Sequence, residues 1–113
     1  MNIQYIGGII KSDVKLNKTK TSNKSVLNLR IQTKDKSFSG TVKMNNHNIK
    51  LWGSLAEMVS EHYNKGDYII ITGRSETYKH NDKLINETIV TNVENYNIKI
   101  TNKEKNIMNQ ELV

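Results

Sequence analysis

Trp52 is the only tryptophan among 113 residues, and it stands two positions after Lys50 in Lys50-Leu51-Trp52-Gly53-Ser54-Leu55-Ala56-Glu57. A broad indole face beside an ammonium group offers stacking on flat π-systems and contact with phosphates. The same pairing of residue types recurs twice. Lys34, Lys36 and Lys43 flank Phe38, and Lys79 and Lys83 lie close to Tyr78. Aromatic rings interleaved with lysines suit a groove that holds unpaired nucleic-acid bases and follows their phosphates.

Covalent and metal chemistry find no such support. His47, His62 and His80 fall on different segments without ligand spacing, and there is no cysteine to supply a thiolate. No GxSxG, phosphate-binding loop or HExxH occurs. Asp82 and Glu87 flank one turn but lack the second carboxylate pair that metal-assisted nuclease chemistry requires. We therefore expect a binding protein rather than an enzyme, with no catalytic residue, no metal and no cofactor.

Lysine and arginine number 17 against 11 acidic residues, a formal charge of +6, which favours a polyanionic partner. Arginine contributes only Arg30 and Arg74. Lysine is a point charge that suits phosphate contact, whereas bidentate reading of base edges is arginine's chemistry, so little sequence preference is expected. A genome-wide bias toward Lys, Asn and Ile would give the same charge without any function. No run approaches the ~18 apolar residues of a membrane span, and no basic-then-apolar leader opens the chain. Together with the missing cysteines, this leads us to expect a cytoplasmic protein that does not associate with membranes.

Period-2 alternation organises the chain. Ile3 to Ile10 reads as a first strand with a bulge or coil at Gly7-Gly8, and Lys11 to Lys24 as a solvated connection. Val26 to Thr33 is a second strand, with Leu27, Leu29 and Ile31 on one face. Asp35 to Asn46 is polar and reads as a loop carrying Phe38. Asn46 to Trp52 is a third strand, Tyr68 to Glu76 a fourth and Glu87 to Ile100 a fifth, with a hairpin near Asn81-Asp82. Between the third and fourth strands Ser54 and Glu57 form an S-x-x-E capping box. Leu55, Met58, Val59 and His62 share a helical face, and Gly66 supplies the stop. The expectation is an all-β, five-stranded OB-fold barrel with one short helix between strands 3 and 4. It occupies residues 1–100, with 101–113 as a short polar tail.

Parity then assigns faces. With Ile49 and Leu51 inward, Trp52 points outward with Lys50; with Ile69, Ile71 and Gly73 inward, Tyr78 points outward too. The run Tyr68-Ile69-Ile70-Ile71 does not alternate, so Tyr68 and Ile70 need cover on the outer face, and a second copy of the chain is the simplest cover.

These segments resemble the bacterial single-stranded DNA-binding protein family. The resemblance rests on Leu51 to Glu57, Lys65-Gly66, Thr72-Gly73-Arg74 and the opening Tyr5 to Asp13, and extends over about residues 1–100. It implies a homotetrameric OB-fold around which single-stranded DNA wraps in replication, recombination or repair; the dimer alternative stays open. Trp52 matches the aromatic position before the helix. His80 falls nearest a family aromatic at the base of the long hairpin, with Tyr78 two residues earlier. Phe38 lies near a further tryptophan position, where anchoring its own loop is an equal alternative to stacking. His47 matches a histidine used in subunit assembly in some relatives. The chain departs from the family pattern at Asn46, often aromatic there, and at Asn48 and Ser54, often basic, and it places Glu76 on the presumed binding strand. It ends at Asn109-Gln110-Glu111-Leu112-Val113 without an acidic tip ending in Pro-Phe. Replication or recombination partners are thus expected by some other route, and a phage, plasmid or other mobile-element origin is implied. The rival reading is an OB-fold adapter that mainly binds a replication protein, with secondary nucleic-acid affinity.

Overall fold

The alternation of Leu27, Leu29 and Ile31 with that of Ile49 and Leu51 sets the fold: Leu27 faces Leu51 and Leu29 faces Ile49 across an antiparallel pair, Ile31 faces His47, and all five aliphatic side chains are buried. The computed structural model describes residues 2–99 and Thr101. In chain order the elements are β1 (Gln4–Ile10), β2 (Asn17–Lys18), β3 (Ser25–Lys36), β4 (Val42–Trp52), α1 (Gly53–His62), β5 (Tyr68–His80) and β6 (Lys83–Val93). β1 runs antiparallel to β5, β5 to β6 and β4 to β3, while β6 lies parallel to β4. Pairing of Ile9 with Gln32 and Ile10 with Ile31 joins β1 to β3 and closes a five-stranded barrel. The two-residue β2 adds to β3 outside that ring. The helix follows β4, the third of the five barrel strands, as expected.

The interior is aliphatic. Ile6, Ile10, Leu27, Leu29, Ile31, Ile49, Leu51, Ile69, Ile71, Val90 and Val93 fill it, and Ala56, Val59 and Tyr63 plug one end. Burial of each larger side chain contributes about 1.5–3 kcal/mol relative to exposure.

Several boundaries differ from those read in the sequence, each for a local reason. Residues 35–46 do not form a loop: β3 and β4 continue beyond the barrel as a two-stranded ribbon turning at 37–41. Both faces of that ribbon meet water, so no apolar alternation marks it. β5 and β6 likewise extend to a tight turn at Asn81 and Asp82, whose φ angles of 50° and 62° fit a two-residue hairpin. β6 ends at Val93 rather than Ile100, because the chain turns at Glu94-Asn95. Ile100 itself, and the expected polar tail apart from Thr101, lie outside the described residues.

The helix also differs. Trp52 occupies the N-cap position with no side-chain cap, so the Ser54–Glu57 box does not form. Glu57 instead accepts a 2.7 Å hydrogen bond from the hydroxyl of Ser25, a residue only 5% exposed. The buried helical face centres on Ala56, Val59 and the following Tyr63; Leu55, Met58 and His62 sit at its margins, half-buried.

Candidate nucleic-acid interface

Strand parity decides which side chains share the outer face. Pairing sets Trp52 opposite Val26, Lys50 opposite Asn28 and Asn48 opposite Arg30, then Met44 opposite Lys34 and Val42 opposite Lys36. Directly opposed residues of an antiparallel pair lie on the same side of the sheet, so Trp52, Lys50, Lys34 and Lys36 share one face. Lys43 pairs with Asp35 on the other face.

Trp52 is half-buried, and two ammonium groups lie over its ring: Lys50 Nζ at 5.5 Å and Lys24 Nζ at 5.7 Å from the centroid. Beside it opens a groove of about 700 Å³. Trp52, Lys24 and Lys50 line it together with Arg74, Tyr78 and Ile89. The hydroxyls of Thr19, Thr21 and Ser22, on the turn between β2 and β3, form its rim. Tyr78 reaches the groove because the β-bulge near Thr72 and Gly73 takes its extra residue from β6, where Thr91 is skipped, leaving β5 parity intact. Acid is present as well. Glu87 lies 3.4 Å from Lys50, and Glu76 lies 3.9 Å from Arg74. The groove is therefore a charged cleft with stacking rings and not a uniformly positive channel.

The remaining expected residues fall elsewhere. Phe38 stands fully exposed at the tip of the β3–β4 ribbon, beyond Val42, which is ten residues along β4 and roughly 33 Å from Trp52 by strand rise. Lys34 and Lys36 line the ribbon between them. His80, Lys79 and Lys83 sit at the end of the β5–β6 ribbon, outside the groove beside Trp52, with His80 on the same strand face as Tyr78. His47 lies half-buried at the barrel mouth, its Nε2 3.1 Å from the Thr33 hydroxyl. There Asp35 accepts hydrogen bonds from Asn45 and Thr33, which hold its carboxyl below the usual carboxylate range.

On the far side of the barrel, Tyr68 and Ile70 face outward, Tyr68 exposed and Ile70 half-buried. Exposed Tyr5 on β1 and Ile3 just before it enlarge this apolar patch, and Tyr5 pairs directly with Thr72. Sequence reasoning missed Lys24, Arg30 and Arg74. The parity of Leu29 and Ile31 marks Arg30 as outward, and that of Ile71 and Gly73 does the same for Arg74. Lys24 shares the parity of Val26, the residue opposite Trp52, but it lies ahead of the strand that the sequence marks from Val26. Among the described residues no group of His, Asp or Glu could hold a metal, and no helix is long and apolar enough to cross a membrane.

The family model of the single-strand binding proteins matches residues 1–108. The chain belongs to that family. Solved structures carry the same fold. The SSB domain of a Synechococcus sp. protein superposes with a TM-score of 0.66 at 17% identity, over 83% of this chain and 94% of that one. A deletion mutant of the single-stranded DNA binding protein from Thermus aquaticus gives a TM-score of 0.68 at 20% identity, over 83% of this chain and 49% of that one. The chain thus matches about half of the Thermus protein's length. No curated protein matches the sequence. The family consists of binding proteins, and its members act on single-stranded DNA.

Proposed function

We propose that this protein binds single-stranded DNA with little sequence specificity, shielding exposed strands during replication, recombination or repair. The observation that carries the reading is the groove in which Trp52 and Tyr78 lie beside Lys24, Lys50 and Arg74. Bases stack on the rings, and the cations take phosphates; Lys24 and Lys50 already sit over the indole and need move little. The strand then leaves along Arg30, Lys34 and Lys36 toward Phe38, while His80, Lys79 and Lys83 offer a second arm and Lys43 the reverse face of the first. Several copies assemble through Tyr68, Ile70, Tyr5 and Ile3, a tetramer in keeping with the family, with His47 near the barrel mouth.

Titration with a thymidine oligonucleotide, followed by Trp52 fluorescence, tests the reading. Strong quenching that weakens steeply with added salt is the expected result, because each phosphate neutralised releases counterions. Absence of quenching up to high micromolar protein overturns it and favours the adapter alternative, for which Glu76 and Glu87 in the groove would be less costly. Light scattering of the same samples gives subunit number and stoichiometry.

A further inference from the structure

Glu87 stands where three depressions meet. It lines the groove beside Trp52, a hollow of about 300 Å³ along Arg30, Asn48 and Ile85, and a slot of about 140 Å³ between β4 and β6. Gln4, Asn46, Asn48, Asn86 and Thr88 wall that slot together with His47. It exists because β4 and β6 pair only at Ile49–Thr88 and Lys50–Ile89 before diverging into separate ribbons.

The polar groups around Glu87 are only partly used. Gln4 accepts from the Thr88 hydroxyl and Asn86 from the Ser75 hydroxyl, so the oxygens of both amides are engaged while their NH₂ groups donate to no side chain among the described residues. The side chain of Asn48 makes no hydrogen bond there either. Glu87 is 11% exposed, and its recorded partner is Lys50 at 3.4 Å, longer than the ~2.7–2.9 Å of a charge-assisted hydrogen bond. A carboxylate has about four acceptor sites, and nearly buried polar groups ordinarily find partners. This one keeps acceptor capacity in the groove that Trp52 and Tyr78 also line.

We infer that Glu87 and the amides of the slot read one base of the bound strand by accepting a hydrogen bond from its exocyclic amine. Cytosine N4 and adenine N6 donate at that edge, whereas thymine presents the O4 acceptor, which a carboxylate repels. Asn48 then completes the contact as an amide that can donate to the neighbouring ring nitrogen. The inference rests on the single-strand reading and adds a modest base bias to an otherwise sequence-tolerant grip. Cytosine and thymine are both pyrimidines of similar stacking area, so their comparison isolates the edge.

The test compares deoxycytidine and thymidine homopolymers of equal length, at mildly alkaline pH, where neither strand folds. The unaltered protein is expected to bind the cytidine strand about threefold to tenfold more tightly, less than a full bidentate base contact provides. Glu87→Gln frees Lys50 from its ion pair, so affinity for both strands should rise while their ratio falls toward one. Equal or tighter binding of thymidine by the unaltered protein overturns the inference and leaves the single-strand reading intact. A ratio unchanged in Glu87→Gln, even with both affinities raised, makes Glu87 a plain electrostatic brake and overturns it as well. Should Glu87→Gln fail to fold, the ratio in the unaltered protein and in Asn48→Ala decides: Asn48→Ala is expected to narrow it, and an unchanged ratio counts against the slot. Binding of neither strand overturns both readings.

Discussion

At the scale of single residues, Trp52 lines the groove and has two ammonium groups over its ring. Stacking of a base on an aromatic ring is worth about 1–3 kcal/mol, so Trp52→Ala should weaken oligonucleotide binding roughly tenfold or more, with Trp52→Phe recovering much of it. Competition titrations against a labelled strand measure both without needing the indole signal. Tyr63 is informative in a different way. Buried at the plug, it donates a 2.8 Å hydrogen bond to Asn95, which also accepts from the Ile70 amide. Burial, assisted by the negative charge of Asp67 and by Tyr96, pushes the phenol up to about 12. In the unfolded chain it titrates near 10.0, so the stability it contributes is complete below that pH. Between 10 and about 12 the unfolded state gives up a proton that the folded state retains, and the contribution is lost as pH rises. Tyr63→Phe should cost about 1 kcal/mol in urea unfolding near neutral pH. That deficit should shrink in the alkaline window, and a deficit independent of pH would contradict the assignment.

At the scale of elements, the helix α1 shows what a motif can and cannot say. Ser54 and Glu57 have the spacing of a capping box, yet Glu57 turns away to Ser25 on β3, where a nearly buried hydroxyl offers a better-shielded bond. Ser54→Ala should therefore change stability by no more than about 0.5 kcal/mol. Glu57→Ala should cost about 1–3 kcal/mol, because it strands the Ser25 hydroxyl. Thermal or urea melts of the pair decide; equal losses would mean that the box forms in solution. The two ribbons were illegible for a related reason. Alternation reports burial on one side, so Leu27, Leu29 and Ile31 announced a strand, whereas residues 34–36 and 42–46 have water on both sides and read as a loop. Trp52, Lys50 and Tyr78 were legible because parity carries outward from a buried neighbour. Lys24 was not, since it lies ahead of the apolar alternation that begins at Leu27, although it has the parity of Val26 opposite Trp52.

At the scale of the whole molecule, closure and the proposed association use opposite faces of the same strand. Gly8 faces the seam between β1 and β3, and a Cβ there would lie 2.5 Å from the Gln32 carbonyl oxygen. Gly8→Ala forces those backbones apart and should destabilise the barrel by about 1–3 kcal/mol, seen as a lowered unfolding midpoint. The outward face of β1 and β5 carries Tyr5, Tyr68 and Ile70, which the barrel itself leaves open. Ile70→Asp should reduce the particle to smaller species in light scattering while leaving the fold and the Trp52 groove in place; an unchanged mass would move the interface elsewhere. Because bound strands wrap across several copies in the proposed assembly, that variant should also lower affinity for long oligonucleotides more than for short ones.

The pairing of β1 with β5 sets a timetable for the newly made chain. Ile6 lies opposite Ile71, so 65 residues of synthesis separate a strand from its partner (71 less 6). At ribosomal rates of about 5–20 residues per second the wait is roughly 3–13 s, long against the microseconds in which a hairpin such as β5–β6 forms. During that interval Tyr5 and Ile6 on β1, with Ile3 just before it, wait for β5, while Ile9 and Ile10 can already pair with β3. A nascent-chain chaperone, or the finished copy of a neighbouring polysome, would meet this segment first.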